Sequence, residues 1–351
     1  MTAPTSTSPG DTSVCRPRRP SDDFRLDTWA SRPPCIEVLA TGPSATIQDL
    51  GRPGLAEFGV GPSGAADRPG LRLANRLVGN PEGHAAVEIT FGGLRLRFTR
   101  AALIAFAGAP CPLRVGEPGA GRAVGMYAPI YVYAGDEVEV GPPGRGMRSY
   151  LAVRGGIAVP PVLGARTTDT LSGLGPAPLE VGSLLPIGDR ALEYPNVDLA
   201  PQPTYPETPV LRVVPGPRDH WFVDDALTAL CDPRGYEVTA ESNRIGIRLA
   251  GPMLRHRNVR ELPPEATLDG ALQVPPAGQP ILFLTDHPVT GGYPVIAVVH
   301  PDDLPMAAQA RPGQRIRFST DRNLRDSGGK RRILHRPFNA EENADESERQ
   351  S

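Results

Sequence analysis

Apolar residues in this chain come in short runs that glycine or proline cuts off, and this punctuation constrains the fold more than any other feature. Runs such as Ile281–Leu284 and Val295–Val299 have strand length. Leu94-Arg95-Leu96-Arg97-Phe98 alternates apolar and polar residues, the pattern of a strand buried on one face. Other β segments follow a Gly-centred turn, where positive φ costs little: Val138–Val140 after Gly135, Leu184–Ile187 after Gly182, Ile316–Phe318 after Gly313. Many short strands with Gly/Pro turns favour a sandwich or barrel over a parallel α/β sheet. The 39 glycines and 42 prolines among 351 residues set this rhythm, against a usual combined share of roughly 12%. With 39% hydrophobic residues, the chain can still build a packed core.

Helices are few. The clearest spans Asp67–Val78: Asp67 caps it, Pro69 is tolerated in its first turn, and Gly79-Asn80-Pro81 stops it. Leu71, Ala74, Leu77 and Val78 form its apolar stripe. A second helix is expected over Asp219–Leu230, with Phe222, Ala226 and Leu230 at a spacing of four, and a short one after Pro301-Asp302-Asp303.

Residues 1–34 are rich in Thr, Ser, Pro, Asp and Arg without apolar periodicity and read as a disordered extension; 321–351 read as a second disordered tail. Prolines crowd 195–208, a Pro-rich linker. Two folded blocks remain, 36–194 and 209–320. Each opens with a strand leading to a Gly-Pro turn, at Gly42-Pro43 and Gly216-Pro217, an echo that suggests two related β domains.

Several function classes are excluded. A formal charge of −2 gives no electrostatic footprint for nucleic acid. The sole lysine is Lys330, in Gly328-Gly329-Lys330-Arg331-Arg332 within the polar tail. A Walker A grip, a Schiff base or a covalently attached biotin each needs a lysine on an ordered element, so this chemistry is not expected on this chain. The four cysteines include no Cys-x-x-Cys pair and the six histidines are dispersed, so no metal site is expected. No run approaches a membrane span and no basic-then-apolar leader opens the chain, so the expectation is a soluble cytoplasmic protein without membrane contact.

Two constellations carry chemistry. The first runs Thr46-Ile47-Gln48-Asp49-Leu50-Gly51-Arg52, then Pro62-Ser63-Gly64 to Asp67, directly before the expected helix. Backbone N–H groups at a helix start favour negative charge, and Arg52 offers a planar fork. The same stretch also reads as a structural turn, with Asp67 as N-cap and Arg52–Asp49 as an ordinary ion pair. The second is Asp286-His287-Pro288-Val289-Thr290-Gly291-Gly292-Tyr293-Pro294, which reads either as a ligand loop or as a plain hairpin. Arg154-Gly155-Gly156 and Leu163-Gly164-Ala165-Arg166 each set an arginine beside a strand end, where a structural partner is the commoner reading. No nucleophile elbow and no dinucleotide fingerprint is present.

Taken in order, these strings resemble one family. Gln48-Asp49-Leu50-Gly51-Arg52, Pro62-Ser63-Gly64 with Asp67, Leu73-Ala74-Asn75-Arg76-Leu77-Val78-Gly79-Asn80, Glu88-Ile89-Thr90, Tyr150 to Ile157, Val162-Leu163-Gly164, Leu272-Gln273-Val274-Pro275, Thr290 to Pro294 and Ala308-Gln309 carry the likeness. They are similar to the carboxyltransferase family that includes the C subunit of 5-oxoprolinase, KipA and the second subunit of allophanate hydrolase. The resemblance covers about 36–319. It implies a mainly β chain with a few α-helices, built as two cyclophilin-like β-barrel domains. It implies one component of an ATP-dependent 5-oxoprolinase, which opens 5-oxoproline to glutamate. Its partners would be a KipI-like B subunit and a LamB/YcsF-like A subunit, with the ATP site on this chain or on a partner. The alternatives it implies are a carboxyltransferase moving a carboxyl group from carboxybiotin to urea or another small amide substrate, and a non-catalytic regulatory partner of a KipI-like protein.

With motif position and side-chain chemistry together, Asp49, Arg52 and Asp286 are expected to be catalytic. Gln48, Ser63, Gly64, Asp67, Asn75, Arg154, Arg166, Gln273, Thr290, Gly291, Gly292 and Tyr293 are expected to bind substrate. Pro264-Glu265-Ala266, Val289-Thr290 and Ala165 depart from the family's usual hydroxyl residues, which bears on substrate identity.

Overall fold

The computed structural model describes residues 35–257 and 261–320; the expected tails, 1–34 and 321–351, lie outside the described residues. Strands β1 (Cys35–Thr41), β4 (Leu94–Phe98), β6 (Leu113–Gly116), β7 (Arg122–Val124), β9 (Glu137–Val140) and β11 (Leu184–Pro186) form a six-stranded sheet. Strands β2 (Ser44–Gln48), β3 (Ala86–Thr90), β5 (Ala102–Gly108), β8 (Ile130–Val132) and β10 (Arg148–Val153) form a five-stranded one. Their inner faces share one core, from Ile36, Leu96 and Phe98 on one side to Ile47, Val87 and Leu151 on the other. Alternation across β4, with Leu94, Leu96 and Phe98 buried and Arg95 exposed, is the pattern its sequence shows.

The second block is a closed seven-stranded barrel, in the order β12 (Val210–Pro215), β19 (Val295–Val299), β16 (Ala271–Gln273), β17 (Ile281–Phe283), β14 (Gly246–Ala250), β13 (Tyr236–Val238) and β20 (Arg315–Thr320). A two-stranded ribbon, β15 (Glu265–Ala266) with β18 (Thr290–Gly291), stands beside it. The chain is thus mainly β, as expected. Closure is found in the second block, whereas the first is a pair of sheets on a common core. Residues 191–209 form no helix or strand, yet they are tied down: the Ala200 N–H donates to the Tyr127 carbonyl at 2.8 Å, and Ala200 and Tyr205 are buried.

Helix α1 (Arg68–Leu77) matches its expected bounds, and its cap is the expected one: Asp67 Oδ1 accepts from the Gly70 N–H at 2.9 Å. Its buried face, Leu71, Ala74 and Leu77, packs on the five-stranded sheet. The helix expected over Asp219–Leu230 is not continuous. A 3-10 turn covers Asp219–Trp221, Phe222 is extended (φ −103°, ψ 163°), and only Ala226–Leu230 is helical. Phe222 is buried and bridges to His256, so its tertiary partner overrides the local spacing. After His300 a 3-10 turn, Pro301–Asp303, leads into helix Leu304–Ala308, as expected.

Candidate functional site

The two blocks meet around a buried ionic cluster. The loop after β2 turns back through Gly51 and reaches Ser63 and Gly64; Ser63 holds φ 50°, left-handed backbone that a non-glycine residue adopts only at a cost. This conformation aims Ser63 Oγ at Asp286 Oδ1, 2.6 Å away in the other block. Asp286 also takes two bonds from Arg244, at 2.9 Å (Nε–Oδ2) and 3.0 Å (Nη2–Oδ1), and two from Thr170, through its N–H at 3.0 Å and its hydroxyl at 2.7 Å. Arg244 goes on to the Gly64 carbonyl at 2.6 Å and to Glu88. Glu88 in turn accepts from the Ala66 N–H at 3.0 Å and the Tyr150 hydroxyl at 2.7 Å, with Arg148 Nε 3.6 Å away.

Burial pushes both carboxyls up, but the charges and donors around them win. Arg244 holds Asp286 and, together with Arg148, Glu88 below the ordinary carboxylate range. Asp67 behaves oppositely: burial dominates and raises it, despite the bonds from Gly70 and Gln309. Gln309 pins the blocks a second time. Its Oε1 accepts from the Met147 and Arg148 N–H groups, both at 2.8 Å, while Nε2 donates to Asp67 Oδ2 at 2.7 Å and to the Arg148 carbonyl at 2.8 Å.

Beside this cluster lies a cleft of about 730 Å³ with walls from both blocks, within the range of small-molecule sites. The first block supplies Arg52 and the start of α1 with Arg68 and Arg72; the second supplies Thr267, Asp269 and His287. His287 Nε2 lies 3.3 Å from Asp269 Oδ1, and Nδ1 lies 3.0 Å from the Thr267 hydroxyl. Burial opposes charge on this imidazole, yet Asp269 outweighs it and the pKa is raised. Arg68 reaches Asp269 at 3.4 Å. Arg52 is buried; Nη2 donates to the Thr167 carbonyl at 2.8 Å, while Nε and Nη1 have no hydrogen-bond partner among the described residues. Cationic side chains at a helix start, facing one His–Asp pair, suit a small ligand with an anionic group and a polar one.

The expected site residues divide into three groups. Ser63, Gly64, Asp67 and Asp286 join the cluster, and Arg52 lines the cleft. Asp286 has both oxygens in use and its carboxyl held below the ordinary range, the geometry of a clamp. Gln48 and Asp49 order the loops that carry the site: Gln48 donates to the Thr168 carbonyl at 2.9 Å and accepts from Thr167, and Asp49 accepts from the N–H groups of Gly51 and Arg166. Gln273 donates to the Tyr293 carbonyl at 3.1 Å, and neither it nor Thr290, Gly291, Gly292 or Tyr293 lines the cleft, whose wall stops at the neighbouring Val289.

Asn75 and Arg154 are not brought to the cleft. Asn75 bonds the carbonyls of Glu82 and His84 and the amide of Asn80, closing the end of α1. Arg154 bonds the carbonyls of Val78 and Leu192 and stacks 3.8 Å over the Tyr194 ring. Arg166 lines a different cavity. The Arg52–Asp49 ion pair of the structural-turn reading is not formed; Arg52 lies instead 3.9 Å from Asp169. Arg244, Arg148 and Thr170 carried no sequence signal. Glu88, Tyr150 and Gln309 stood inside the family strings without a role, and that position was the available signal.

Comparisons with known proteins agree with this architecture. A family model for the carboxyltransferase domain, subdomain A and B, matches residues 58–320. The C subunit of the Escherichia coli 5-oxoprolinase is 37% identical over 286 residues, covering 81% of this chain and 90% of that protein. The urea amidolyase of Saccharomyces cerevisiae is 32% identical over 86% of this chain, which spans only 18% of that protein. Among solved structures, TTHA0988 superposes with a TM-score of 0.74 at 35% identity, over 82% of this chain and 56% of the other. The K. lactis urea amidolyase gives 0.75 at 30% identity, over 84% of this chain and 19% of the other. The chain therefore belongs to the carboxyltransferase domain family, subdomain A and B.

Proposed function

We propose that this chain is the C subunit of a 5-oxoprolinase, hydrolysing the ring amide of 5-oxoproline to glutamate in a complex with a KipI-like B subunit and a LamB/YcsF-like A subunit. One observation carries the reading: the likeness to the C subunit of the Escherichia coli 5-oxoprolinase runs through 90% of that protein at 37% identity. The cleft supports it chemically. 5-Oxoproline is a small lactam bearing one carboxylate; Arg68 and Arg72 at the start of α1 attract the carboxylate, and His287 with Asp269 faces the ring amide. Asp286, Ser63 and Arg244 hold the two walls in register.

ATP drives the reaction in this reading, and its site lies outside the cleft, on this chain or on a partner. No lysine stands among the described residues, and the Gly51 and Gly64 turns are packed on each other's backbone rather than open to a triphosphate. The test is to purify the chain with both partners and measure ADP and glutamate release. Turnover that requires 5-oxoproline and all three components is expected; absence of such turnover in the assembled complex overturns the reading.

The urea amidolyase likeness favours a second reading, transfer of a carboxyl group from carboxybiotin on a separate carrier to an amide nitrogen. That activity would be blocked by avidin, and 5-oxoproline hydrolysis would not.

A further inference from the structure

A second cavity, of about 300 Å³, shares no lining residue with the cleft. His84, Gly156, Arg166, Gly188, Asp189 and Arg190 form its wall. Two motifs that stand out in the sequence, Arg154-Gly155-Gly156 and Gly164-Ala165-Arg166, meet here. Glycine is required in the first because the turn packs against neighbouring chain: a Cβ on Gly155 would lie 1.9 Å from the Gly188 carbonyl oxygen, and one on Gly156 2.9 Å from His84 Nδ1. Arg154 itself turns away. Arg166 faces the cavity, with Nε donating to the Val159 carbonyl at 2.7 Å.

The charges are unbalanced. Arg166 is half-buried, whereas Arg190 and Asp189, in the same wall, are exposed, and among the described residues neither arginine comes within ion-pair distance of a carboxylate. His84, Arg166 and Arg190 line the one cavity, and burial, then the two guanidiniums, push the His84 imidazole below its ordinary value. His84 Nδ1 is buried without a partner among the described residues. Two guanidiniums against one carboxylate leave this wall net positive, and an anion between the guanidiniums balances it.

We propose that this cavity binds a phosphate-type oxyanion, held by Arg166 and Arg190 from separate loops with the His84 imidazole as a third polar contact. A carboxylate is satisfied by a single guanidinium fork, whereas donors converging from three chain segments suit a tetrahedral anion. Inorganic phosphate and the terminal phosphate of a nucleotide share this chemistry. The proposal stands independently of the reading of the cleft.

Calorimetric titration of the full chain at constant ionic strength, with inorganic phosphate, ADP and glutamate in separate arms, tests it. Saturable binding of phosphate or ADP, one per chain, is expected, weakened about tenfold or more in Arg190→Ala and in Arg166→Gln. Arg190 makes no hydrogen bond or ion pair among the described residues, so Arg190→Ala should keep its Tm; the exposed Arg122→Ala on β7 should bind as the parent does. Tighter binding of ADP than of phosphate identifies the nucleotide as the source, and the reverse identifies the free ion. No saturable binding in either arm, binding indifferent to Arg190→Ala, or preference for glutamate overturns the proposal.

Discussion

The Ser63 hydroxyl donates to Asp286 Oδ1 at 2.6 Å across 223 residues of sequence, joining the first block to the second. Ser63 meets this bond only by holding φ 50°. Both ends are buried, so the pair has no water to fall back on. Removing the hydroxyl leaves one fewer donor on a buried carboxylate.

Ser63→Ala should therefore cost about 2 kcal/mol, the usual size for a bond to a charged group. Ser63→Gly should cost less, because glycine takes the left-handed backbone freely. Denaturant midpoints of the two variants check the order; equal losses would remove the argument from backbone strain.

Arg244 serves Asp286 and Glu88 together, and Arg244→Met strands two buried carboxylates. A loss of about 3–5 kcal/mol is expected in equilibrium unfolding. Both carboxyls have depressed pKa values in the fold. Their stabilisation is present above the unfolded carboxylate pKa and is lost as pH falls through the folded values. The parent should lose Tm steeply on acidification, and Arg244→Met should show a flatter acid limb.

Gly51 and Gly54 both have positive φ, 86° and 85°, but their surroundings differ. A Cβ on Gly51 would lie 2.4 Å from the Pro62 carbonyl oxygen, while one on Gly54 meets nothing within 4 Å. Gly54→Ala should cost about 1–2 kcal/mol, the left-handed penalty alone. Gly51→Ala should cost clearly more, since backbone must move. Thermal unfolding of the pair decides it.

The His287 imidazole should titrate above its ordinary value. Burial opposes the charge, but Asp269 prevails. The sign follows: this stabilisation is full below the unfolded histidine pKa and disappears as pH rises through the folded one. Asp269→Asn should bring the imidazole pKa down, read directly by NMR titration; an unmoved pKa would break the assignment.

Within the assembled oxoprolinase, Arg68→Ala should raise KM for 5-oxoproline about tenfold with a smaller effect on kcat. Arg76→Ala, on the same helix but paired with Glu82 at the surface, should leave both unchanged. Equal behaviour of the two variants would separate Arg68 from the substrate.

The sequence alone determined what local chemistry determines. Alternation marked β4, an Asp cap and a Gly-Asn-Pro stop bounded α1 to within a residue, and the Pro62-Ser63-Gly64 string and the Asp286–Pro294 run held residues that meet in the buried cluster. It also placed Glu88, Tyr150 and Gln309 without revealing what they hold. Spacing misled where a distant partner intervened, as at Phe222, extended to bridge His256. Side-chain type could not separate a ligand-binding arginine or asparagine from one that satisfies nearby carbonyls, as Arg154 and Asn75 do. Only the tertiary structure decided the role of Arg244. It sits in Glu241-Ser242-Asn243-Arg244 with no local pattern around it, and its partners, Glu88 and Gly64, lie in the other block. Hydrogen-bonding propensity and periodicity act over a few residues, whereas the choice of a buried ionic partner is made by how two packed cores close on one another.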